Sequence, residues 1–117
     1  SRLMVIKRDG TRTPFDPDKV LNGLQAACGK RPIPEDTKVA IVRDVEEELM
    51  RQFEREVQSH EIGIRIAQQL KSVDQIVYIR YASEYFNFQD LEDISREVSG
   101  LQGEPPVIPT QSDLFNK

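Results

Sequence analysis

The sequence predicts an α+β fold that is mostly α, with an N-terminal β-hairpin lid on a small bundle of four or five helices. Three observations lead there. Two short β-prone runs, Leu3 to Arg8 and Thr11 to Phe15, flank the turn pair Asp9-Gly10, a pair favoured where two central residues need positive φ. A capped helix start, Asp16-Pro17, follows at once. From there to Val98, apolar residues recur at helical spacing between short connectors, which favour antiparallel neighbours.

In the first run, alternation puts Leu3, Val5 and Lys7 on one face and Met4, Ile6 and Arg8 on the other. Lys7 and Arg8 therefore reach a common ligand only if the hairpin folds over it or twists strongly. Asp16 suits an N-cap, and Pro17 suits the first helical position, where a missing N–H costs nothing. Val20, Leu21, Leu24, Ala27 and Cys28 form this helix's buried stripe, and Gly29 is its C-terminal stop.

A second helix is expected from about Glu35 to Glu54, burying Val39, Val42, Val45, Leu49 and Phe53 and wetting Glu46, Glu47 and Glu48. Ser59 reads as the N-cap of a third helix carrying Ile62, Ile66 and Leu70. Asp74 caps a fourth with Val77, Tyr78, Tyr81 and Tyr85, in which Tyr81 and Tyr85, four apart, can stack. Asp90 caps a fifth with Leu91, Ile94 and Val98, ended by Gly100. The chain divides into a folded domain over 3–99 and a flexible Pro-containing tail over 100–117.

The composition narrows the chemistry. At 117 residues, with 38% hydrophobic and 31% charged, the chain suits one surface-rich domain. No apolar run approaches the ~20 residues that cross a bilayer, and no signal-peptide pattern is present. A single cysteine excludes an internal disulfide and fits a reducing, cytoplasmic setting. One Cys and one His cannot build a zinc ribbon, so no zinc is expected in this chain, and His60 beside Glu61 reads as exposed and non-catalytic. The chain opens Ser1-Arg2, so Met4 is not expected to be an initiator, and a preceding segment is expected.

Net charge is −4, but residues 1–20 hold five Lys or Arg against three Asp or Glu. An acidic body disfavours duplex DNA as a direct partner, since neutralising phosphates dominates that binding. A small basic spot suits a compact anion instead. No Gly-x-Ser-x-Gly, Walker or Gly-x-Gly-x-x-Gly pattern occurs, and the carboxylates fall mostly on outer helix faces. An enzyme is not expected.

The anion-site reading rests on Lys7, Arg8 and Lys19 as phosphate contacts, with Val5, Ile6 and Phe15 around a flat base and Thr13 at its edge. The helix start at Pro17 adds free N–H groups, although Asp16 competes for them. The same residues also fit a plain hairpin, basic on its wet face and apolar in the core.

Val5-Ile6-Lys7-Arg8-Asp9-Gly10, followed by Lys19, resembles the opening of the ATP-cone domain, a regulatory ATP- or dATP-binding module of ribonucleotide reductases and of their transcriptional repressor. Lys30-Arg31-Pro32-Ile33, Ser59 with Ile62-Gly63, Val77 to Ser83 with Tyr85, and Phe88 to Leu91 resemble the repressor branch in particular. The ordered set over about residues 3–98 carries the likeness.

The resemblance implies a nucleotide, ATP or dATP, under the hairpin, with Val5, Lys7, Arg8, Thr13, Phe15 and Lys19 lining the pocket and Mg2+ able to accompany the triphosphate. It implies a regulatory domain that senses nucleotide level and controls the oligomeric state of a homo-oligomer. Arg80 and Tyr81 fall to structure or subunit contacts, and Gly63 stands where some reductase cones place a His. The repressors bind DNA through an N-terminal zinc ribbon with four Cys, which this sequence does not contain. An effector part of such a repressor, an allosteric cone detached from a reductase, and a stand-alone helical protein-interaction module therefore stay open.

Overall fold

The computed structural model describes residues 3–103 of the 117. Strands β1 (Met4–Ile6) and β2 (Arg12–Pro14) form the expected antiparallel hairpin, with Val5 opposite Thr13. Its turn differs from the expected one. Only Gly10 has positive φ, at 87°, and Asp9 does not. Gly10 N–H donates to Lys7 C=O (2.9 Å) and Lys7 N–H donates to Thr11 C=O (2.8 Å), closing a three-residue loop over Arg8, Asp9 and Gly10. Asp9 is used as an acceptor instead: its carboxylate takes the Thr11 N–H (2.9 Å) and hydroxyl (2.7 Å). A left-handed glycine after a turn is the usual way to close such a loop.

A third strand, β3 (Glu56–Gln58), was not expected from the sequence. It pairs parallel to β1, Val57 beside Val5, so the sheet order is β2-β1-β3. Three residues with one apolar position give no periodicity to read. The strand exists because β1 offers it a free edge, and Met4 N–H already donates to Arg55 C=O at 2.8 Å. Arg12 and Glu56 form an ion pair between the two outer strands.

Helix α1 (Pro17–Cys28) begins and ends as expected: Asp16 accepts from Asp18 N–H (3.0 Å), and Gly29 adopts φ 55°. Leu24 and Cys28 are fully buried. Helix α2 (Glu35–Gln52) buries Ile41, Val42, Val45 and Leu49. The expected stripe is offset at its start, for Val39 is 42% exposed and Ile41 takes the inward place, while Phe53 only packs at the core's margin. Glu48 is not simply wetted: it accepts from Arg65 Nε at 3.1 Å.

Helix α3 (Ser59–Lys71) starts one residue early, so Ser59 is its first residue, not its cap. Gln58 occupies the cap position without a side-chain hydrogen bond, because β3 runs straight into the helix. Helix α4 (Gln75–Tyr85) is capped by Asp74 as expected and buries Val77, Tyr78, Tyr81 and Ala82.

Helix α5 (Leu91–Gly103) does not stop at Gly100. A mid-helix glycine costs about 1 kcal/mol, and burial of Leu101, of similar or greater worth, offsets it. Leu91, expected on the buried stripe, is 81% exposed. The expected tail beyond residue 103 lies outside the described residues.

Helix α1 packs on α2 and α4, and α3 packs on α2 and α4, so α4 stands at the centre of the bundle with α5 on its far side. Leu24, Val45, Leu49, Ile66, Leu70 and Val77 are fully inaccessible, each side chain worth roughly 1.5–3 kcal/mol of burial. No helix among the described residues is long and apolar enough to cross a membrane.

Candidate functional site

Between the hairpin and the bundle lies a cavity of about 290 Å³. Strand alternation sends Val5 and Lys7 to its side of β1, and cross-strand register puts Thr13 beside Val5. The chain then turns into α1, whose first turns add Asp16, Lys19 and Val20, with Phe15 just before them. The opposite wall comes from the start of α3 (Ser59, Ile62, Gly63) and the end of α4 (Tyr81, Tyr85). A volume near the lower end of the ~300–1,000 Å³ usual for ligand pockets suits a flat ring system, with charged appendages left at the mouth.

Of the six candidates read from the sequence, Val5, Lys7, Thr13, Phe15 and Lys19 line this one cavity. Arg8 does not. It stands in the loop and lines a neighbouring cavity of about 250 Å³, with Gln58 and His60, which shares Lys7, Ser59 and Tyr85 with the first. Ile6, also considered for the base, is on the other face of β1 and lines neither.

The interior is apolar and the rim basic. Val5 is buried and Phe15 half-buried, whereas Lys7, Arg8 and Lys19 are exposed. None of these three cations is in an ion pair among the described residues. By contrast Arg31 and Arg65 are held by Asp74 and by Glu48 and Glu61. Asp9, next to the rim, stays ionised below the usual carboxylate range because the Thr11 hydroxyl and amide bond it.

Helix ends at the site divide their roles. The N-terminus of α1 is already occupied by the Asp16 carboxylate. The N-terminus of α3 has no side-chain cap, and its first residue, Ser59, faces both cavities. Unsatisfied N–H groups with a positive dipole end favour an anion.

Ser59, Ile62 and Tyr85 were expected as a helix cap, as parts of helical stripes and as part of the family likeness, but not as pocket residues. Tyr81 and Tyr85 do stack, with ring centroids 4.3 Å apart and planes at 22°. Burial pushes the Tyr81 phenol up, and the adjacent Tyr85 adds to this. Tyr85 lies against Gly63, whose absent Cβ would stand 3.4 Å from the Tyr85 Cβ. The i, i+4 spacing of Ser59 and Gly63, and of the two tyrosines, was the available signal. The Arg80 guanidinium approaches the Ala27 and Cys28 carbonyls (3.5 and 3.4 Å), at the C-terminal end of α1.

Fold and site together define a small α+β ligand-binding module with a hairpin lid. Residues 3–91 match the ATP cone domain, and the chain belongs to that family. It is 41% identical over 102 residues to the transcriptional repressor NrdR of Petrotoga mobilis, covering 87% of this chain and 68% of the relative. It is 46% identical over 99 residues to the NrdR of Halalkalibacterium halodurans, covering 85% and 65%. The NrdR of Thermomicrobium roseum is 47% identical over 108 residues, covering 92% and 67%. The chain thus spans about two thirds of the length of these relatives.

Proposed function

We propose that this chain is a regulatory, non-catalytic ATP/dATP-sensing domain, the effector part of a transcriptional repressor of ribonucleotide reductase genes. The observation that carries the reading is the apolar cavity under the hairpin with Lys7 and Lys19 at its mouth. Family membership and the repressor relatives support it.

In this reading, adenine enters between Val5 and Phe15, with Thr13 near its polar edge. Lys7 and Lys19 hold the phosphates, and Arg8 reaches them from the neighbouring cavity across the shared Lys7. Among the described residues no group of three or more His, Cys, Asp or Glu could hold a metal ion, so Mg2+ would arrive bound by phosphate oxygens. Regulation follows from linkage: a nucleotide that binds one assembly of the homo-oligomer more tightly shifts the population toward it. The acidic body disfavours direct DNA contact, so DNA binding would run only through an N-terminal zinc ribbon, if the natural protein has one.

The test is calorimetric titration with ATP and dATP, paired with native mass spectrometry for subunit number. Saturable binding with a nucleotide-dependent change of assembly supports the reading. Absence of binding to either nucleotide removes it.

A further inference from the structure

Tyr85 is held from three sides. Its ring stacks on Tyr81 at 4.3 Å, and it rests on the backbone of Gly63. Its hydroxyl occupies space that α1 leaves open: a Cβ on Gly23 would stand 2.7 Å from the Tyr85 Oη, closer than real Cβ contacts, with the ring Cζ next at 3.8 Å. Gly23 lies within α1, has no positive φ, and so has no backbone reason to be glycine. In a helix interior it is worse than alanine by about 1 kcal/mol.

Tyr85 is also the wall common to three cavities. It faces the one under the hairpin, the one beside Arg8, and a third of about 390 Å³ between α1 and α4. Displacing the ring redraws all three.

We propose that Gly23 is a positioning residue of the nucleotide pocket: its missing side chain seats the Tyr85 hydroxyl, and so fixes the wall that sets the pocket's size. The role of Gly23 is steric and remote, since it lines the third cavity and not the one under the hairpin. Gly63 and the Tyr81 stack close two sides of the ring, and Tyr85 is 42% exposed, so an added methyl drives the ring off its seat toward solvent. The proposal rests on the nucleotide reading only for its binding consequence; the seat itself is a property of the ligand-free protein.

The experiment uses the 117-residue chain and its Gly23→Ala, Tyr85→Phe and doubly substituted forms. Three readouts are taken on each: the ring resonances of residue 85 without ligand, the thermal midpoint, and ATP affinity by calorimetry. Gly23→Ala alone is expected to shift the Tyr85 resonances and to weaken ATP binding about tenfold, the lower part of an overpacking penalty. In the Tyr85→Phe background the offending oxygen is gone and the nearest ring atom is at ordinary contact distance. There, Gly23→Ala is expected to leave the ring resonances and ATP affinity at the Tyr85→Phe values and to raise the midpoint, as a better helix former.

An equal effect of Gly23→Ala in both backgrounds, or unmoved Tyr85 resonances, overturns the proposal. If Gly23→Ala fails to fold, recovery by Tyr85→Phe supports the seat and failure in both backgrounds overturns it. Should ATP bind none of the four proteins while the resonances behave as expected, the nucleotide reading fails and the seat stands.

Discussion

Asp74 shares its carboxylate between two elements: Oδ1 accepts from the Ile76 and Val77 amides (2.9 and 3.1 Å), and Oδ2 accepts from Arg31 Nε at 2.9 Å. One side chain thus caps α4 and ties it to the connector after α1. The carboxylate is 10% exposed, while Arg31 is 42% exposed.

Asp74→Ala removes both ties and is expected to destabilise the fold by about 1–2 kcal/mol, the upper range of a lost N-cap. Urea denaturation measures it. Arg31→Ala, which leaves the cap intact, should cost well under half as much, as partly exposed ion pairs usually do.

The same residue gives a pH dependence. The Arg31 hydrogen bond, followed by the amides, holds the Asp74 carboxyl below its ordinary 3.8. A depressed native value favours the ionised form, so its stabilisation is complete above about 3.8 and fades as acid titrates through the lower native value. Acid unfolding followed by circular dichroism should therefore have a shallower limb below pH 4 in Asp74→Asn.

Lys7→Ala and Lys19→Ala are each expected to weaken ATP binding by about 10- to 100-fold, the range for hydrogen bonds to charged groups. Both side chains are exposed and in no ion pair among the described residues, so thermal midpoints without ligand should stay within a degree or two of the unsubstituted chain. Unchanged calorimetric affinity in both variants would sink the phosphate assignment. Arg8→Ala tests the neighbouring cavity, and a smaller loss is expected there.

Gly10→Ala isolates the backbone contribution of the hairpin loop. A Cβ there meets nothing within 4 Å, so only the φ of 87° opposes it. The expected loss is about 1 kcal/mol, with faster exchange of the Lys7 amide and of the amide at position 10, whose hydrogen bonds close the loop.

Val57→Ala tests the strand that sequence reading missed. Val57 is buried at 2% exposure beside Val5, and its truncation should cost about 2 kcal/mol. Hydrogen exchange should rise in β1 as well as β3, because β1 is the middle strand.

Much of the fold was legible because its signals are local. Asp16, Pro17 and Gly29 bound α1, and Asp74 starts α4, through hydrogen bonds within a few residues. Five of the six candidate residues converge on one cavity because strand alternation and a short link to α1 bring them there. Arg8 falls into the next cavity for the same reason: a loop residue beside Lys7 points elsewhere. Errors arose where packing outweighed local preference. Gly100 reads as a stop, yet burial of Leu101 carries α5 through it, and Val39 reads as inward, yet Ile41 faces the core.

By itself the sequence determined the hairpin, the caps of α1 and the N-cap of α4, and the basic, apolar-backed character of residues 5–19, since these depend on dihedral preferences and hydrogen bonds between near neighbours. Tertiary structure alone decided that β3 would join the sheet, that Ser59, Gly63 and the paired tyrosines would form the far wall, and that Gly23 would leave room for a hydroxyl from α4. These pairings join residues tens of positions apart. Their geometry is set when surfaces from separate helices close on one another, and no period along the chain records it.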